Sequence, residues 1–121
     1  MGRRVFVVDD EKQIADLLSF VLREANFDAE AFYDARSALL RASECLPDVL
    51  VSDITMPGMD GIELAEALQE QNPNCKVVLI SGNRDWKARK TLPGSGLEGF
   101  IFLPKPFSPS LLVRLIRSEM S

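Results

Sequence analysis

The feature that most limits what this chain can fold into is a regular alternation. Short apolar runs with β character take turns with segments of helical periodicity, five times over. Val5-Phe6-Val7-Val8 is a continuous apolar run, which suits a strand covered on both faces. Ile14, Leu17, Leu18, Val21 and Leu22 then recur at i, i+3, i+4, i+7 and i+8, one stripe of an amphipathic helix. Asp10 with Gln13 three residues on reads as its capping box, and Asn26 suits the left-handed position after it. A weaker strand around Asp28 to Phe32 is followed by a helix with Asp34 as its cap and Ala38, Leu39 and Ala42 on its inner face. Val49 to Val51 is the third strand. The turn from Met56 to Gly61 leads into a helix carrying Ile62, Ala65 and Leu68, which Asn72-Pro73 stops. Lys76 to Ile80 and Phe100 to Leu103 are the fourth and fifth strands. Ser108-Pro109 opens a last helix with Leu111, Leu112, Leu115 and Ile116 inward. Such alternation predicts an α/β fold: a parallel, doubly wound sheet with right-handed crossovers and helices on both faces. One stretch fits poorly. Between Ser81 and Phe100 the helical signal covers only about Arg84 to Lys90, and Pro93-Gly94-Ser95-Gly96 breaks it, so a short or irregular fourth helix and a long loop are expected.

Length and composition bound the rest. A chain of 121 residues fits one domain, and no linker follows the last helix, so residues 1–121 are expected to form a single domain without an attached output domain. Hydrophobic residues make up 46% and charged residues 26%, the balance of a soluble globular protein. The apolar runs are far shorter than the roughly 20 residues that span a bilayer. No leader precedes Asp9-Asp10-Glu11, so a cytoplasmic location without membrane partners is expected. Cys45 and Cys75 show no metal-ligand spacing and read as small apolar residues in reduced surroundings. There are no histidines. That excludes Ser-His-Asp and Cys-His nucleophile pairs, histidine-containing zinc sites and a phosphohistidine within this chain. A net charge of −4 argues against direct nucleic-acid binding.

In doubly wound parallel folds, ligands sit outside the carboxyl ends of the strands. The residues just past each apolar run are therefore the candidates for chemistry. Asp9-Asp10 come after the first run, Asp53 after the third, Ser81 after the fourth, and Lys105 after the fifth, between Pro104 and Pro106. Taken singly, Asp10 is a helix cap, Asp53 and Ser81-Gly82 are turn residues, and Lys105 is a solvated charge. Their joint placement is harder to dismiss. Three neighbouring carboxylates repel one another unless a cation joins them, and one lysine cannot balance all three. A small, hard divalent ion with oxygen ligands would, which points to Mg²⁺, with Mn²⁺ as a substitute. Asp53 could then attack phosphorus in line, with Lys105 and Ser81 on two phosphoryl oxygens.

These residues also carry a resemblance. Val-Val-Asp-Asp-Glu (7–11), Ser-Asp-Ile-Thr-Met-Pro-Gly-Met-Asp-Gly (52–61), Ser-Gly (81–82) and Lys-Pro-Phe (105–107) are similar, in order, to the four signature segments of response-regulator receiver domains. The resemblance covers essentially the whole chain. It implies a five-stranded, flavodoxin-like (βα)5 fold of strand order 2-1-3-4-5. It implies that Asp53 is phosphorylated, that Asp9, Asp10, Asp53 and the backbone carbonyl of Thr55 hold Mg²⁺, and that Ser81 and Lys105 contact the phosphoryl group. Ser81 and Phe102, the aromatic three residues before the lysine, would be the switch residues. Pro106 would follow a cis bond, and Thr55 and Asn83 would tune dephosphorylation. The implied donor is a histidine kinase or histidine phosphotransfer protein, with an unidentified downstream protein target. Such a protein catalyses only its own phosphorylation and dephosphorylation, as a monomer or a weak phosphorylation-dependent dimer. The segment with Arg84, Trp86, Lys87, Arg89 and Lys90 departs from the usual pattern. It resembles receivers standing alone or joined to hybrid kinases more than those fused to DNA-binding domains.

Other readings fare worse. Gly94-Ser95-Gly96-Leu97-Glu98-Gly99 matches G-x-G-x-x-G but precedes a strand instead of following one. A haloacid-dehalogenase-like phosphatase wants a second Asp where Thr55 stands. A flavin binder needs a phosphate cradle where this chain puts acids. The alternative that remains is a pseudo-receiver, the same fold used as a phosphorylation-independent interaction module.

Overall fold

The computed structural model describes residues 3–82 and 99–120. Five strands form one sheet: β1 (Arg4–Val8), β2 (Asp28–Phe32), β3 (Val49–Asp53), β4 (Lys76–Ser81) and β5 (Ile101–Pro104). All neighbours run parallel, in the order β2-β1-β3-β4-β5. This is the doubly wound architecture that the alternation predicts. Four helices are described: α1 (Lys12–Glu24), α2 (Ala35–Ala42), α3 (Gly61–Gln71) and α4 (Pro109–Met120). The expected short helix between β4 and β5 lies outside the described residues, as do Asn83, the Arg84–Lys90 segment and most of the Gly94–Gly99 motif. No described helix is long and apolar enough to cross a membrane.

The sheet separates two apolar layers because side chains alternate along each strand. Phe6, Val8, Leu50, Val77 and Leu79 face α2 and α3, where Ala38, Ile62, Ala65 and Leu68 meet them. Val5, Val7, Val49, Val51, Val78 and Ile80 face α1 and α4. β1 and β3 are covered on both faces, which explains why their sequences are continuous apolar runs. Cys75 is buried, and burial pushes its thiol up to about 11. Both cysteines are free.

The helix ends follow local chemistry. Asp34 caps α2 by accepting the Ser37 N–H at 2.7 Å, and Ser108 accepts the Leu111 N–H ahead of Pro109. Asn26 takes the left-handed conformation after α1, with φ 72°. Two stripes each lose one expected leucine, while Ile14, Leu18, Val21 and Leu22 of α1 and Leu112, Leu115 and Ile116 of α4 reach the apolar layer. In α1 the buried side is Ala15, Leu18, Ser19 and Leu22, while Leu17 is 52% exposed. Ala15 and Ser19 are small and buried, and the Ser19 hydroxyl is satisfied by the Ala15 carbonyl at 2.8 Å. In α4, Val113 joins Leu112 and Ile116 inside, and Leu111 is exposed.

Candidate functional site

Strand order reverses between β1 and β3, because the chain goes from β1 outward to β2 and returns to add β3 on the other side. The crevice that such a reversal opens lies at the carboxyl ends of those two strands. The last pair of their ladder is Val8 with Ser52, so Asp9, Asp10 and Asp53 emerge there together. One carboxylate oxygen from each of the three lies within 4.8 Å of the others. Their surroundings differ. Asp9 is 1% exposed and Asp53 8%, whereas Asp10 faces solvent.

The two carboxylate oxygens of Asp9 are in different situations. Its Oδ1 accepts the Glu11 N–H at 2.9 Å, but its Oδ2 is buried with no hydrogen-bond partner among the described residues. Burial pushes its pKa up to about 6; the Glu11 N–H and Lys105 oppose the rise, and Asp53 and Asp10 add to it. The expected capping box of Asp10 and Gln13 does not form. The residue at the cap is Glu11, which makes no side-chain cap bond, and helix begins at Lys12. The Asp10 carboxylate stands with Asp9 and Asp53 instead, where a third oxygen donor completes the acidic group.

Asp53 ends β3 with its carboxylate accepting the N–H of the exposed Thr55. Lys105 Nζ stands 3.5 Å from its Oδ2. Burial raises the Asp53 pKa; Lys105 and the Thr55 N–H pull it back down, and Asp10 raises it further. Lys105 is placed by its own backbone, whose N–H donates to the Ser81 carbonyl at 3.0 Å, and the bond to Pro106 is cis. Ser81 closes β4, buried and in register with Pro104. Phe102 of β5 pairs with Leu79 of β4 and is half-buried against the α2/α3 layer. The structure thus brings Asp9, Asp10, Asp53, Thr55, Ser81 and Lys105 to one edge.

Sequence reading missed the device that holds the start of α3. Asp60 Oδ1 accepts the Glu63 N–H at 2.8 Å, and Glu63 Oε1 accepts the Asp60 N–H at 3.0 Å, a reciprocal capping box that fixes the start of α3. The signal was present as Asp-x-x-Glu ahead of an apolar run. Gly61 comes next, so close to Asp53 that a Cβ there would strike the Asp53 carbonyl oxygen. Glycine is required by this approach and not by its φ.

The donor set fits a small, hard divalent cation. All its atoms are oxygens, two of the three carboxylates are buried, and one buried oxygen lacks a partner.

Comparison with known proteins decides the family. The family model described as "Response regulator receiver domain" matches residues 5–117. This chain belongs to that family. As a receiver, it resembles both larger regulators and small single modules. DNA-binding response regulator MtrA of Mycobacterium tuberculosis is 32% identical over 120 residues, 99% of this chain and 51% of MtrA. The receiver thus spans about half the length of the curated relatives it matches. Among solved structures, Vibrio cholerae chemotaxis protein CheY4 superposes with a TM-score of 0.84 at 27% identity, covering 98% of each chain. Response regulator TrrA of Thermotoga maritima, solved with Mg²⁺ and BeF, gives 0.81 at 24% identity, covering 97% of this chain and 98% of that one. That second likeness is one of fold.

Proposed function

We propose that this receiver accepts a phosphoryl group on Asp53 from the phosphohistidine of a histidine kinase or histidine phosphotransfer protein. The observation that carries the reading is the joint placement of Asp9, Asp10 and Asp53 with Lys105 against the last of them. Asp9, Asp10, Asp53 and the Thr55 carbonyl would hold Mg²⁺, as the unpartnered Asp9 oxygen favours. When bound, the ion would supply the positive charge that lets three carboxylates share a site with an incoming phosphate. A carboxylate oxygen of Asp53 forms the new O–P bond as the P–N bond of the donor breaks. The bonding pair stays on the imidazole nitrogen. Lys105 and the Thr55 N–H favour the ionised, nucleophilic form of Asp53. Lys105 is near enough to pass from the carboxylate to a phosphoryl oxygen, and Ser81 would serve a second oxygen.

The phosphoryl group carries a charge of roughly −1.5 to −2 where the carboxylate carried −1. Ser81 and Phe102 would transmit it, the hydroxyl drawn to the phosphoryl group and the half-buried ring repacking behind it. Thr55 and Asn83 would tune the return reaction. The receiver would act on itself and turn over no other substrate. A pseudo-receiver would have no use for the buried, unpartnered oxygen or for the lysine beside Asp53.

Beryllofluoride, a stable phosphoryl mimic, tests the site without a donor. Binding that requires both Mg²⁺ and Asp53, read from amide NMR shifts around the acidic group, is the expected result. Equal binding by wild type and Asp53→Asn, or none by wild type, would sink the reading.

A further inference from the structure

Ser52 is a hydroxyl in a place that asks for an apolar side chain. It lies two residues after Leu50 on the face of β3 that packs against α2 and α3, and it is 0% exposed. Burying a hydroxyl costs free energy unless it is hydrogen-bonded. Its partner is one residue away: Ser52 Oγ donates to the Asp53 carbonyl at 2.9 Å.

That carbonyl belongs to the peptide unit joining Asp53 to Ile54. In a planar trans peptide the C=O and N–H point in opposite directions. The Ile54 N–H donates to the Ile80 carbonyl of β4 at 2.9 Å, so the Asp53 C=O points away from β4, towards β1. There the ladder has already ended, at Val8 with Ser52. The hydroxyl thus supplies a bond where the neighbouring strand no longer does. The next peptide unit is held in the same two-sided way. The Ile54 carbonyl accepts the Gly61 N–H at 2.8 Å, while the Thr55 N–H on the other side of that unit donates to the Asp53 carboxylate. Gly61 closes over the Asp53 carbonyl at a distance that leaves no room for a Cβ.

The geometry points to Ser52 as a positioning residue for the phosphoacceptor. Its hydroxyl, with the Ile80 carbonyl and Gly61, fixes the Asp53–Ile54 peptide plane, and so the direction of the Asp53 carboxylate and of the Thr55 backbone. This inference rests on the phosphoacceptor reading and adds a residue that touches neither ion nor phosphoryl group.

Ser52→Ala, Ser52→Val and Ser52→Thr separate the hydroxyl from packing, since Val and Thr share a shape. Two quantities are measured on folded protein: Mg²⁺ affinity by calorimetry, and the phosphorylation rate with acetyl phosphate at saturating Mg²⁺. The Ala and Val variants are expected to bind Mg²⁺ several-fold more weakly and to react about tenfold more slowly, as small misplacements of a reacting group do. Ser52→Thr should lie near wild type in both. A structural role alone would lower the urea midpoint and leave both quantities unchanged. Ala and Val variants with wild-type affinity and rate, or Thr as impaired as Val, would overturn the inference. A wild type that takes no phosphoryl group would instead overturn the reading beneath it.

Discussion

Asp9 holds a charge in a place that does not favour one. Its carboxyl titrates at about 6 in the fold, against 3.8 for the ordinary group. Between those values the folded state holds a proton that the unfolded state has lost. Stability contributed by this group therefore rises as pH falls from above 6 towards 4. Asp9→Asn removes the charge and keeps an oxygen to accept the Glu11 N–H. The metal-free variant is expected to be more stable than wild type by about 2 kcal/mol at pH 7 in urea unfolding. The difference should vanish near pH 4, and Mg²⁺ binding should be lost at every pH. A variant less stable than wild type at pH 7 would show that the buried charge is already compensated. At this scale the sequence was readable wherever a polar residue follows an apolar run directly, as Asp9 and Ser81 do, or one residue on, as Asp53 does. It misled at Asp10, because Asp-x-x-Gln spacing suits a helix cap and a residue beside one equally. Ser52 gave no signal, since nothing in the sequence distinguishes a buried hydroxyl from an exposed one at the end of a strand.

Secondary structure was legible where local chemistry sets it. The Asp34 cap, the left-handed Asn26 and the Ser108-Pro109 start all depend on neighbours within four residues. Helix orientation depends on what lies across the interface, and there the periodicity was a poorer guide. Both Leu17 and Leu18 fit the periodicity of α1, but Leu18 is in the core with Ala15 and Leu22 while Leu17 is exposed. Leu22→Ala should cost about 3 kcal/mol, as buried leucine truncations do. Leu17→Ser should change stability by less than about 0.5 kcal/mol, as exposed substitutions do. Equal losses in urea melts would mean that α1 is rotated from the orientation described. The start of α3 combines both kinds of information. Its capping box is local and could have been read, whereas the contact of Gly61 with Asp53 joins two elements and could not.

For the whole molecule, the topology is set by the order of its elements. Parallel strands require crossovers, crossovers are right-handed, and two-sided burial of β1 and β3 puts them in the centre. A chain wound in this way has one reversal point, and it falls between the strands that end in Asp9 and Asp53. The convergence of acids there is thus a consequence of topology acting on residues scattered along the sequence. It is also costly to the metal-free fold, so phosphoryl acceptance should depend on the cation as strictly as on the nucleophile. The intact mass of the protein is measured after incubation with acetyl phosphate, with and without Mg²⁺, for wild type and Asp53→Asn. Wild type is expected to gain one phosphoryl group only when Mg²⁺ is present, and Asp53→Asn none. No gain by wild type, or a gain that needs neither Mg²⁺ nor Asp53, would contradict the assignment of Asp53 as a metal-dependent phosphoacceptor.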